Sequence, residues 1–114
     1  MSITIKQYQS FTPSTFIVPE NLVCTQDTYL FTGLVAEAGE LAGNYAKYCR
    51  GDFNSEELIF RTKKELGDVL YFCFQLANQI GLDIEDVLEA NRDKLQDRLN
   101  KGTIKGDGEG DRLK

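Results

Sequence analysis

Histidine is absent from this 114-residue chain. That removes Ser-His-Asp and Cys-His catalysis, His-ligated zinc and the Glu-x-x-His di-iron motif. Cysteine is sparse. Cys24, Cys49 and Cys73 are odd in number and form no Cys-x-x-Cys pair, so they read as reduced, packed thiols of a cytoplasmic protein. A nucleophilic cysteine would lack a histidine as its base. Positive charge is short as well: a net charge of −5 offers no basic face for nucleic acid. It leaves room for a nucleotide enzyme whose acids hold metal. Met1 to Lys6 lacks the basic start and apolar run of a signal peptide. The longest apolar stretch, near Val69 to Phe74, is far too short to span a membrane. There is no Walker-type loop, Rossmann fingerprint or internal repeat. The length suits one domain, 1–114, with a modest core.

What is present is acid in pairs. Glu37-Ala38-Gly39-Glu40 and Glu65-Leu66-Gly67-Asp68 each carry two acids three residues apart. On a helix, acids so spaced project from one face. Each pair sits among apolar or small residues and has no cation built into it. An acid at i and i+3 is ordinary on a solvated helix face. Two such pairs in apolar settings, on neighbouring helices, would make a concentrated negative site. A cation would make that site tolerable, and carboxylate oxygens suit Mg²⁺ or Mn²⁺.

Hydrophobic spacing predicts helices throughout. A short helix over Thr4 to Ser10 leads into a loop bracketed by Pro13 and Pro19, which Phe11, Phe16, Ile17 and Val18 pin to the body. A long helix runs from Leu22 or Gln26 to Arg50, with Leu30, Leu34, Leu41, Tyr45 and Tyr48 as its buried stripe. Gly33, Gly39 and Gly43 inside it each cost about 1 kcal/mol relative to Ala. They suit either close helix packing or room for a ligand beside Glu37 and Glu40. Gly51 ends that helix, with Lys47 and Arg50 in its last turn.

Ser55 is a candidate N-cap for a second long helix to Gln79 or Ile80, closed by Gly81. Its run Val69 to Ala77 is apolar nearly all round, and the chain has too few other helices to bury it. The expectation is an obligate homo-oligomer, with Asp68 beside a dry environment. Asp83 caps a third helix to about Asn100, with Ile84, Val87, Leu88, Leu95 and Leu99 as its stripe and Asn91, Lys94 and Arg98 on a polar face. The Gly-rich tail, 102–114, is either a frayed terminus or a flap bringing Lys105 and Arg112 onto a polyphosphate.

An acidic cluster on two helices and an Asn-Lys-Arg face on a third point to a metal-phosphate site. Here the chain resembles the all-α nucleotide pyrophosphohydrolases of the MazG-like type. The resemblance covers roughly Gly33 to Arg112. It rests on Glu37-x-x-Glu40, then 24 residues, then Glu65-x-x-Asp68 within Glu-Leu-Gly-Asp-Val-Leu. It continues in Asn91-x-x-Lys94-Leu95-x-x-Arg98 and a Lys105-Gly106-x-Gly108 tail ending at Asp111-Arg112.

The resemblance implies an all-α helical bundle completed by oligomerisation, as a homodimer or homotetramer. It implies metal-dependent hydrolysis of a (deoxy)nucleoside triphosphate to the monophosphate and pyrophosphate. Glu37, Glu40, Glu65 and Asp68 match the metal ligands, for two or more Mg²⁺ or Mn²⁺ ions. Asn91 and Lys94 match positions that contact nucleotide, Arg98 a phosphate neighbour, and Lys47 a basic position late in the same helix as Glu37. The base would be Glu40 or Glu37. A purine deoxynucleotide, dGTP first, is the substrate guess, in a cytoplasm that would be the host's for a phage-encoded member. Tyr29, Phe31, Tyr71 and Phe72 could stack on a base, although aromatics at helical spacing are more often core. The rival from another class is a non-enzymatic helical dimer, an interaction module with a structural cation.

Overall fold

A computed structural model of the chain describes residues 1–105, and its order is helical throughout. Helix α1 (Ile5–Phe11) runs into a 3₁₀ turn (Thr12–Thr15). Three long helices follow: α2 (Gln26–Cys49), α3 (Ser55–Ile80) and α4 (Ile84–Lys101). No strand occurs among the described residues, so the fold is all-α as expected. The readings for Gly106 to Arg112 lie outside them.

Local chemistry sets each boundary. Thr4 accepts the Gln7 N–H at 3.0 Å while Gln7 Oε1 accepts the Thr4 N–H at 2.8 Å, a reciprocal cap that starts α1. Thr25 caps α2 by accepting the Thr28 N–H. The cap of α3 is Asn54 and not Ser55: the Asn54 side chain accepts the Glu57 N–H at 2.9 Å, which makes Ser55 the first helical residue. Gly81 ends α3 at φ 77°, a left-handed conformation that suits glycine, and Asp83 opens α4 by accepting the Glu85 N–H.

The tertiary frame is an antiparallel α2–α3 hairpin, and α1 lies against both α3 and α4. Few apolar side chains reach full burial among the described residues: Leu30, Leu76, Ala77 and Ile84. The expected α2 stripe is buried at Leu30 and half-buried at Leu34, Leu41 and Tyr48, but Tyr45 is exposed. On α4 only Ile84 is buried, while Val87, Leu88, Leu95 and Leu99 face outward. Phe16 stacks on Tyr29 with ring centroids 6.2 Å apart, as the loop required. Phe11 and Ile17 do not pin the loop; both are exposed. Cys24 and Cys49 are exposed rather than packed, whereas Cys73 is half-buried and burial pushes its thiol up. No helix among the described residues is long and apolar enough to cross a membrane.

Candidate metal centre

The hairpin seam pairs α2 with α3 in reverse order. Gly33 meets Phe72, Glu37 meets Glu65 and Asp68, and Asn44 meets Arg61. The i, i+3, i+4 spacing of an α-helix puts Gly33, Glu37, Glu40 and Asn44 on one stripe, and Phe72, Asp68, Glu65 and Arg61 on the other. Both acidic pairs therefore face one another across the hairpin. One carboxylate oxygen each from Glu37, Glu65 and Asp68 lies within 4.8 Å of the other two. Glu40 stands near enough to act electrostatically on both Glu37 and Glu65.

The electrostatics are those of crowded like charge. Burial, then the carboxylates of Glu40, Asp68 and Glu65, raise the pKa of Glu37 above its ordinary value. Burial, then Glu40 and Asp68, raise that of Glu65, with Lys64 a smaller opposing influence. Oε2 of Glu37 and Oε2 of Glu65 are buried and find no hydrogen-bond donor. Buried acceptors left without donors are costly. A hard divalent cation, which takes carboxylate oxygens as ligands, is the group this set fits. Asp68 departs from expectation: it is exposed, and the dry position belongs to Glu37 and Glu65.

Beside the acids, a cleft of about 280 Å³ is lined by Glu40, Gly43, Asn44, Lys47 and Glu65. Lys47 thus stands next to two of the acids, as a cation for an anionic ligand would. Arg61 sits one turn before Glu65. Its guanidinium donates to Glu57 at 3.1 Å and to Asn44 Oδ1, and stacks 4.3 Å over the Phe53 ring. The sequence reading missed Arg61, although Glu57 four residues before it is a spacing that signals a helical ion pair.

The residues on α4 stand elsewhere within the chain. Asn91, Lys94 and Arg98 ride on a helix whose packing partner is α1, and they do not figure among the groups acting on Glu37 or Glu65. Arg98 is half-buried and its Nε is buried without a hydrogen-bond acceptor. Lys105 is exposed at the end of the described residues. Of the aromatics that could stack on a base, Phe31 is exposed, whereas Tyr29, Tyr71 and Phe72 are engaged within the chain. The Tyr71 hydroxyl takes bonds from Thr15 at 2.9 Å and Gln75 at 3.0 Å, and Tyr29 packs between Phe16 and Phe72. A second cleft, about 240 Å³ and mostly apolar, lies between Ile3, Ile5 and Tyr8 and the Gly67, Leu70 and Phe74 face of α3. Burial, then Tyr71 and Asp68, push the Tyr8 hydroxyl up.

Comparisons with known proteins bear on the family. The chain is 38% identical over 84 residues to the Gene 37 protein of Mycobacterium phage L5, covering 72% of this chain and 74% of that protein. No solved structure matches the chain. The sequence profile of the MazG nucleotide pyrophosphohydrolase domain matches residues 25–103, which hold both acidic pairs and the polar face of α4. On that match, spanning most of its length, the chain belongs to the MazG nucleotide pyrophosphohydrolase family.

Proposed function

We propose that this chain, working as one domain over 1–114, hydrolyses a (deoxy)nucleoside triphosphate to the monophosphate and pyrophosphate. The observation that carries the reading is the convergence of Glu37, Glu65 and Asp68 around two buried carboxylate oxygens that have no donor. Family membership supports the same chemistry. The cofactor in this reading is Mg²⁺ or Mn²⁺, two or more ions per site, held by Glu37, Glu40, Glu65 and Asp68. When bound there, such ions polarise phosphoryl oxygens and lower the pKa of a coordinated water.

The chain's own groups do the rest. In this reading the base is Glu40, which is exposed, holding a water and taking its proton, or Glu37, which is half-buried. Lys47 neutralises phosphate charge from the cleft it shares with Glu40 and Glu65. Asn91 and Lys94 contact the nucleotide, and Arg98, Lys105 and Arg112 neutralise phosphates. Since α4 leans on α1 within one chain, α4 of a second copy brings these groups over the acids in a homodimer or homotetramer. The apolar side chains left outward on α2, α3 and α4 support that assembly: Val35 is 72% exposed, Ile59 69% and Leu99 56%. A purine deoxynucleotide, dGTP first, is the substrate assigned, and the setting is the cytoplasm of a cell or of a phage's host.

The test is product analysis with the four deoxynucleoside triphosphates, with and without Mg²⁺ or Mn²⁺, beside Glu40→Gln and Asp68→Asn. The expected result is metal-dependent release of monophosphate and pyrophosphate, lost in both variants. Orthophosphate as the product would move the cut to another phosphorus. No turnover of any nucleotide by a folded wild-type chain would leave the helical interaction module with a structural cation.

A further inference from the structure

The direction of α4 is decided at a short elbow, Gly81 to Asp83, between the ends of α3 and α4. One side chain spans that elbow. Gln9, on α1, donates from Nε2 to Asn78 Oδ1 at 3.0 Å, in the last turn of α3, and to the Leu82 carbonyl at 2.8 Å, in the elbow itself. Its Oε1 accepts the Ile84 N–H at 2.9 Å, the first amide of α4. Both ends of one amide therefore grip both sides of the bend. Asn78 answers by donating to the Gln9 carbonyl at 3.2 Å and to Thr12 Oγ1 at 3.1 Å, and Gln75 donates to the Thr12 carbonyl at 2.6 Å. Ile84 is one of the few buried apolar side chains, and Lys6 pairs with Glu85 at 3.7 Å on the same side. The main tertiary contacts of α4 are with α1.

We propose that Gln9 is a positioning residue: by splinting the α3–α4 elbow it sets where Asn91, Lys94 and Arg98 stand, and so governs substrate binding without touching substrate. The inference rests on the nucleotide-hydrolase reading above. Gln9 lies outside residues 25–103, which the family profile matches, so this control is supplied by the chain's own N-terminal segment. The leverage is geometric. Lys94 lies about 15 Å along α4 from Ile84, so a swing of about 10° at the elbow moves it by roughly 3 Å. Misplacing a binding group by about 1 Å is enough to cost about 10²-fold in rate. Glu37, Glu40, Glu65 and Asp68 sit on the α2–α3 hairpin, away from the residues of the elbow in sequence.

The experiment uses the full chain with Gln9→Met, which matches the length and removes the three side-chain bonds while keeping the backbone carbonyl that Asn78 binds, and Gln9→Glu, which keeps the acceptor for Ile84 N–H and loses the donor. KM and kcat are measured on a nucleoside triphosphate that the wild type turns over. Mn²⁺ affinity is read by electron paramagnetic resonance, and amide exchange is followed at Ile84 to Leu88. Gln9→Met is expected to raise KM about tenfold or more, with Mn²⁺ affinity within about twofold of wild type and faster exchange at Ile84 to Leu88. Gln9→Glu is expected to fall between. A lower melting temperature with KM unchanged would overturn the proposal, as would KM and Mn²⁺ affinity deteriorating together. A wild-type chain that turns over no nucleotide would sink the hydrolase reading instead. The splint is then judged by exchange, and unchanged exchange at Ile84 in Gln9→Met overturns it in either case.

Discussion

The Phe72 ring occupies the space that a side chain on Gly33 would need. A Cβ at Gly33 would stand 2.7 Å from Phe72 Cζ and 2.9 Å from Cδ1. The ring packs against Tyr29 and Tyr71, so displacing it disturbs those contacts. Gly33→Ala is therefore expected to destabilise the protein by about 1–3 kcal/mol, although alanine favours helix. At Gly39 nothing lies within 4 Å of the same added atom. Gly39→Ala is expected to be neutral or to stabilise by up to about 1 kcal/mol. Urea unfolding of both variants measures the contrast, and equal effects would show that Phe72 does not set the difference.

Divalent cations should stabilise the folded chain through the Glu37, Glu65 and Asp68 cluster. At free Mn²⁺ a hundredfold above its dissociation constant, the gain is about 2.7 kcal/mol by mass action. Asp68→Asn removes one ligand and relieves like-charge crowding, so the variant should melt at or above the wild-type temperature without metal and respond weakly to Mn²⁺. Calorimetric scans with and without the ion check both halves.

Acidity should act in opposite directions with and without metal. Glu37 and Glu65 have folded-state pKa values raised above their ordinary 4.5. The folded chain therefore holds protons that the unfolded chain would release. Their contribution to metal-free stability is complete below pH 4.5 and is lost as pH climbs through the raised values. Metal needs the ionised carboxylates, so metal-dependent stabilisation grows over the same interval. Melting temperature against pH, with and without Mn²⁺, should give curves that diverge above pH 4.5. In Glu37→Gln with Glu65→Gln the divergence should collapse.

Outward apolar surface predicts self-association. Sedimentation should give two or four times the 12.9 kDa chain mass, with a melting temperature that rises with protein concentration. Burying a leucine-sized side chain contributes about 1.5–3 kcal/mol. Ile59→Glu, at a position 69% exposed in one chain, should shift the distribution toward monomer.

Helix content and most boundaries were legible in the sequence, because glycines such as Gly81 and caps such as Asp83 act within one turn. The facing of Glu37 on Glu65 and Asp68 was legible too, since two long amphipathic helices joined by a short turn pack antiparallel. The depth of each acid was not. Exposure of Asp68 and burial of the Glu37 and Glu65 oxygens depend on helix rotation, which three-residue spacing leaves free. Gln75 was hidden in the run Val69 to Ala77, which read as apolar, and Asn78 lies just beyond it, yet they anchor the bonds to Thr12 and Gln9. Their spacing, three apart on α3, was the available signal, as was Thr4-x-x-Gln7 for the start of α1.

The hairpin seam has a consequence for how the protein comes together. Glu37, Glu40, Glu65 and Asp68 all lie on two helices separated only by the turn from Arg50 to Asn54, so one short loop closure assembles the whole acidic set. Contacts this local form early on the folding path. The elbow bonds instead join Gln9 to Asn78, Leu82 and Ile84, across 69 to 75 residues of chain. Folding should therefore deliver a metal-competent hairpin first and an aimed α4 afterwards, so that cation uptake and nucleotide affinity are acquired as separate kinetic events.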